Sequence, residues 1–154
     1  MTSYYAFSDG SELAIRAVTY EIRIASVNLM CYAGGIELVT THRHEVSSLG
    51  GGTAADVAPL YQGAPAATAT ARSGTSALTF SGTDRIVGSA FVPQGNSTAV
   101  IGLYTVVTQH GSNAQIQTPL TLTVAPGSVY HVKGITTGTV VQVFFEELRL
   151  VGSY

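Results

Sequence analysis

Tryptophan is absent from this chain of 154 residues, cysteine occurs once, and only 10 % of the residues are charged. Each shortage excludes something. A single Cys31 cannot form an internal disulfide, and its place in the apolar run Val27–Tyr32 reads as a buried structural thiol rather than a nucleophile. The charged fraction stands well below the roughly one quarter of an average soluble domain. The formal net charge is −2, the pI is near 6.0, and lysine and arginine are scattered singly, so no basic patch marks direct nucleic-acid binding. Mean hydropathy is +0.30, yet no apolar run approaches the ~20 residues that span a bilayer, and no membrane partner is expected. Residues 1–10 lack the basic start and apolar core of a secretory signal, which together with the unpaired cysteine fits assembly in a reducing cytoplasm.

Motifs of catalysis are equally scarce. There is no Gly-x-Ser-x-Gly elbow and no Cys-x-x-Cys pair, and Gly50-Gly51-Gly52 lacks the downstream Lys and Ser/Thr of a phosphate cradle. Glu146 and Glu147 are neighbours on a strand pattern, so they face opposite sides and suit a bulge or a strand edge better than an acid–base pair. Asp56, Asp84 and His110 fall in turn-like sequence without visible partners. The expectation is a protein that is not an enzyme and needs no cofactor.

What the chain does contain is β pattern. From Ser97 to Val151 the apolar segments Ser97–Thr108, Gln115–Val124, Val129–Ile135 and Thr139–Val151 alternate with turn chemistry and read as four consecutive antiparallel strands. Upstream, Glu12–Tyr32 alternates apolar and polar residues, Gly34-Gly35 reads as the tight turn of a hairpin, and Ile36–Val46 as its second strand. Ala77–Phe80 and Arg85–Val92 add strand character. The predicted fold class is all-β: one domain over residues 1–154, an antiparallel β-sandwich of about eight strands, jelly-roll-like.

Between Ser47 and Ser76 the composition turns to Gly, Ala, Thr, Ser and Pro, including the run Ala66–Arg72. Loops of this length in compact domains are functional or disordered. The expectation is an extended arm over residues 47–76 that lies across another surface through Val57, Leu60 and Tyr61, aided by an aromatic N-terminus of Tyr4, Tyr5 and Phe7. Low charge and positive hydropathy also predict surface hidden in a homo-oligomer, with a trimer expected.

His42-Arg43-His44 is the best candidate for metal chemistry, because side chains two apart on a strand share a face. The His-x-His resembles the first motif of the cupins, which are jelly rolls, but the carboxylate expected a few residues later is missing. Pro126–His131 resembles their second motif in content, though not in spacing. His42, His44 and His131 therefore stand as weak metal candidates, with surface histidines the plainer reading and no metal the expectation.

In overall character, a Thr/Val-rich β-domain with a long Ala/Gly/Thr loop and aromatic termini at Tyr4-Tyr5 and Tyr154, the chain resembles the small jelly-roll-like decoration, or cement, proteins of tailed bacteriophage capsids. That resemblance implies a virion protein on the capsid surface, made in the host cytoplasm, that binds the major capsid protein or other shell subunits and steadies the shell. A tail or head-fibre domain would look similar. The other readings are a glycan-binding β-sandwich using Tyr61, Tyr104, Tyr130 and Asn113, and, third, a cupin-like metal enzyme.

Overall fold

The structure, a computed structural model, describes residues 2–8, 12–31, 37–45, 48–74, 78–92, 97–102, 107–109, 112–114, 122–133 and 139–149. Its strands are β1 (Thr2–Ser8), β2 (Glu12–Arg16), β3 (Ile22–Cys31), β4 (Glu37–Glu45), β5 (Leu49–Gly50), β6 (Thr53–Ala55), β7 (Val57–Pro59) and β8 (Thr70–Gly74). There follow β9 (Thr79–Phe80), β10 (Thr83–Val92), β11 (Ser97–Gly102), β12 (Val107–Gln109), β13 (Ser112–Ala114), β14 (Thr123–Val124), β15 (Val129–Lys133) and β16 (Thr139–Glu147). No helix occurs among the described residues. The chain is all-β, as its alternating pattern predicts.

Two antiparallel sheets form the body. The first runs β11-β3-β16-β1-β7, with β14 also paired to β3, and the second runs β10-β4-β15-β2-β8-β6. Their inner faces meet in one core. Tyr4, Ala6, Ile22, Ile24, Val27, Val141, Val143 and Phe145 come from the first sheet, and Leu13, Ile15, Val39, Ala71, Tyr130 and Val132 from the second. The pleat has period two, yet Ile24 and Val27 are three apart and both point inward. A bulge resolves this: Phe144 and Phe145 are consecutive but face Ser26 and Ile24, leaving exposed Ala25 as the extra residue.

Many consecutive strands pass between the sheets, which overturns one local expectation. β3 and β4 do not form a hairpin about Gly34-Gly35, since β3 pairs with β11, β14 and β16 while β4 pairs with β10 and β15. Residues 32–36 themselves lie outside the described set. Likewise β15 and β16, consecutive in the chain, belong to different sheets. Each inner face needs an apolar partner face, and crossing supplies one where local pairing would leave both exposed.

The stretch expected to be an arm is built into the domain. β7 pairs with β1, and β8 lies between β2 and β6. The run Ala66–Arg72 carries its own period of two: Ala69 and Ala71 are buried and Ala67 packs against the core, while Thr70 is exposed. Small side chains suit this place, where a strand lies close to the body. Tyr4, expected as a partner contact, is fully buried and stacks on Phe145 with ring centroids 5.8 Å apart. Val57 also turns inward against the core.

One buried carboxylate ties this segment down. Oε2 of Glu147 accepts hydrogen bonds from the Thr68 amide (2.9 Å), the Thr68 hydroxyl (2.7 Å) and the Ala69 amide (2.9 Å), and Oε1 accepts one from Arg149 at 2.8 Å. Arg149 also donates to the Tyr4 hydroxyl and to the Ala66 carbonyl, and the Tyr4 hydroxyl donates to the Pro65 carbonyl. Burial alone would raise the Glu147 pKa, but the hydrogen bonds from Thr68, Arg149 and Ala69 outweigh it and hold the carboxyl below its usual range.

A group whose folded pKa is depressed contributes stability above its unfolded pKa and loses it as pH falls through the folded value. Stability should therefore decline on acidification below the ordinary carboxyl range, and Glu147→Gln should remove that part of the decline. The same substitution should cost ~3 kcal/mol in urea denaturation at neutral pH, because it leaves Arg149 without its counter-charge. Limited proteolysis should leave residues 48–74 uncut in the free wild-type protein and open them in the variant; a segment cleaved equally in both would show that Glu147 does not hold it.

Candidate functional site

The outer face of the second sheet carries the densest chemistry among the described residues. On β4, Val39 and Thr41 are buried, Val39 in the core, so His42 and His44 point the other way; on β15, Tyr130 and Val132 point in and His131 points out. β15 pairs directly with β4, placing His131 opposite His42 and diagonal to His44. The three imidazoles form a nearly equilateral triangle with centroid separations of 5.9, 5.6 and 5.5 Å. A surface histidine pair is therefore not what results: His44 is 7 % exposed and His131 5 %.

Neighbouring strands complete the site with carboxylates. β10 brings Asp84 opposite His44, and its Oδ1 lies 2.9 Å from Nδ1 of His42 and 3.9 Å from Nε2 of His44. Sequence reading leaves Asp84 in a turn without partners; the structure puts it in a strand with two. On the opposite flank β2 contributes Glu12, whose Oε1 lies 3.7 Å from Nε2 of His131. His44 and His131 face each other directly, with Nε2 and Nδ1 3.4 Å apart. His42 turns its other nitrogen, Nε2, to the Thr40 hydroxyl at 2.7 Å.

A short ribbon of β5 and β9 brings an aromatic cover to the cluster. Phe80 stacks on His44 at 4.0 Å with the rings 4° from parallel, and lies 4.4 Å from His131. Beneath it is a cavity of about 220 Å³ lined by the three histidines, Glu12, Asp84, Leu78, Phe80 and Lys133. Burial lowers the pKa of His44, partly opposed by Asp84, and burial lowers that of His131, partly opposed by Glu12. Both rings are thus disposed to be neutral near pH 7, with lone pairs available.

A second feature lies on the outer face at the β1–β7 edge of the first sheet. Phe7 is half-exposed, Tyr5 is half-buried beside Phe144 at 6.1 Å, and Leu60 and Tyr61 stand exposed just past β7. The Leu60 amide bonds to the Ser3 carbonyl, which fixes this turn to β1. A groove lined by Tyr5, Phe7, Ala55 and Ala58 runs beside it. Four of the six expected partner residues thus lie on the outside of this edge, whereas Tyr4 and Val57, on the same two strands, turn inward to the core.

Other candidates separate. Tyr130 is fully buried in the core while Tyr61 is exposed, so these two rings do not share a surface. Tyr104, His110 and Tyr154 lie outside the described residues, as does the side chain of Cys31. Glu146 pairs with Arg23 at 2.6 Å while Glu147 is buried, so the two glutamates do face apart. Glu12 and Phe80 are the site residues that sequence reading misses, and no local pattern marks either.

Phe80→Ala should destabilise the protein by ~1–3 kcal/mol, since it removes a ring packed on two imidazoles. Ile86→Ala, on the same face but 68 % exposed, should change stability by less than ~0.5 kcal/mol. Equal effects in denaturant titrations would show that the ribbon does not pack on the cluster. Comparison with family models, with curated proteins and with solved structures gives no match to this chain.

Proposed function

We propose that this protein is a structural subunit of a bacteriophage virion that decorates the capsid and steadies it by bridging neighbouring shell subunits. The observation that carries the reading is the outward apolar strip of Tyr5, Phe7, Leu60 and Tyr61 on a two-sheet body. A stiff sandwich with such a strip is suited to lie against another protein. Sparse charge supports the same reading, because contacts made by aromatic, small apolar and hydroxyl groups depend little on salt. The order of the long strands, β11-β3-β16-β1 in one sheet and β10-β4-β15-β2 in the other, fits a jelly roll.

Contacts of this kind are individually small, and a homotrimer would gain by engaging several shell subunits at once. The docking element in this reading is a rigid edge and not a free arm. Pro59 sits in the edge strand β7, where it limits open-ended strand pairing and leaves side chains to make the contact.

Particles carrying the protein should withstand higher temperature or stronger chemical stress than bare particles. The combined variant Phe7→Ser, Leu60→Ser, Tyr61→Ser should remain folded by circular dichroism and bind the shell at least ~10-fold more weakly, each buried aromatic anchor being worth more than 1 kcal/mol. Deleting residues 51–71 is not an equivalent test, because it removes β6 and β7 and cuts into β8. Equal robustness of bare and decorated particles would sink the proposal.

A further inference from the structure

We propose that His42, His44, His131 and Asp84 bind a divalent transition-metal ion of the zinc class on the outer face of the second sheet. Metal-free and metal-bound arrangements make different demands on this cluster. Nε2 of His44 and Nδ1 of His131 are 3.4 Å apart, longer than the 2.7–3.2 Å of an ordinary N–H hydrogen bond. Two nitrogens bound to one tetrahedral zinc at ~2.0–2.1 Å must sit about 3.3 Å apart. The separation thus serves a shared ion better than a shared proton.

Asp84 completes the set from the exposed side. Its Oδ1 is 2.9 Å from Nδ1 of His42 and 3.9 Å from Nε2 of His44, and the ligand atoms of these three residues all lie within 4.8 Å of one another. His131 adjoins this trio through His44 and would move in as the fourth ligand on binding; three imidazole nitrogens and one carboxylate oxygen are a donor set that zinc, cobalt and nickel accept and that calcium and magnesium do not favour. The outward nitrogen of His42 also meets an oriented partner, the Thr40 hydroxyl, and the Glu12 carboxylate stands 3.7 Å from Nε2 of His131, within ion-pair range though beyond hydrogen-bond reach. Such partners fix ring orientation and raise ligand basicity. Lys133 lines the same cavity, but its cross-strand neighbour is Glu12, so the two charges offset.

The ligands come from three adjacent strands, β4, β10 and β15. An ion here would staple the terminal strand β10 to the middle of its sheet on the side away from the core. It is a stabilising role and requires no reaction. The cupin-like enzyme reading places its metal chemistry in a substrate pocket; here Phe80 lies across the rings instead.

The test uses the untagged full-length chain, stripped with chelator and titrated with Co²⁺ and then Zn²⁺. One ion per chain should bind, Co²⁺ should show the intense visible absorption of tetrahedral coordination, and Zn²⁺ should displace it. Saturating Zn²⁺ should raise Tm by roughly 5–10 °C. Asp84→Asn, at a half-exposed side chain, and His42→Gln should keep the fold by circular dichroism and weaken Co²⁺ binding at least ~10-fold and ~100-fold, with Glu12→Gln weakening it ~10-fold through His131. Substoichiometric binding by the wild type would overturn the proposal. So would an undiminished cobalt spectrum in the His42→Gln, Asp84→Asn double variant, or a thiolate charge-transfer band that places the ion at Cys31.

Discussion

A fully buried carboxylate survives in a protein only when its oxygens are supplied with donors, and Glu147 collects four hydrogen bonds at the margin of the sandwich. Three come from Thr68 and Ala69 and one from Arg149, so strand β16 of the first sheet holds the segment that leads into β8 of the second. Through Arg149 the same network reaches the Tyr4 hydroxyl and the Ala66 carbonyl. Without this anchor a stretch of alanine, threonine and glycine has little apolar area with which to stay on the body. With it, β6, β7 and β8 extend the two sheets, and the β1–β7 edge acquires its place next to Phe7, Leu60 and Tyr61.

Backbone irregularity sets the faces elsewhere. The bulge at Ala25 brings both Ile24 and Val27 into the core against Phe145 and Val143. A second irregularity in β10, between Ile86 and Gly88, shifts the register beside His42. On one side of that shift Asp84 lies opposite His44, and Val87, the unpaired residue within it, packs against the core. The alternation of a pleated strand thereby serves two purposes: one face fills the sandwich, the other assembles imidazoles and carboxylates from four strands under the Phe80 ring.

Glycine is decisive at one position in this plan. Gly52 has φ +60°, and a Cβ there would collide with the Ser73 carbonyl oxygen and with Leu78. The close approach lets residues 51–55 turn tightly onto β8, so what reads in sequence as a loose glycine tract is partly a packing requirement.

The all-β class was legible from the one-dimensional chain, because period-two alternation is a property of neighbouring residues: Leu13 and Ile15, or Tyr130 and Val132, declare their strand without reference to any other part of the molecule. The shared face of His42 and His44 was legible for the same reason. Even Ala67, Ala69 and Ala71 carry that pattern, and their small size disguised it as loop. Strand partners were not legible, since pairing β3 with β16 or β15 with β2 depends on which apolar faces meet across more than a hundred residues. Nor was the meeting of Glu12, Asp84 and His131, whose separations in sequence bear no relation to the few ångströms between them. Sequence alone determined what each strand offers to its two faces; the tertiary structure decided which faces join, because burial is settled between distant segments and not within one.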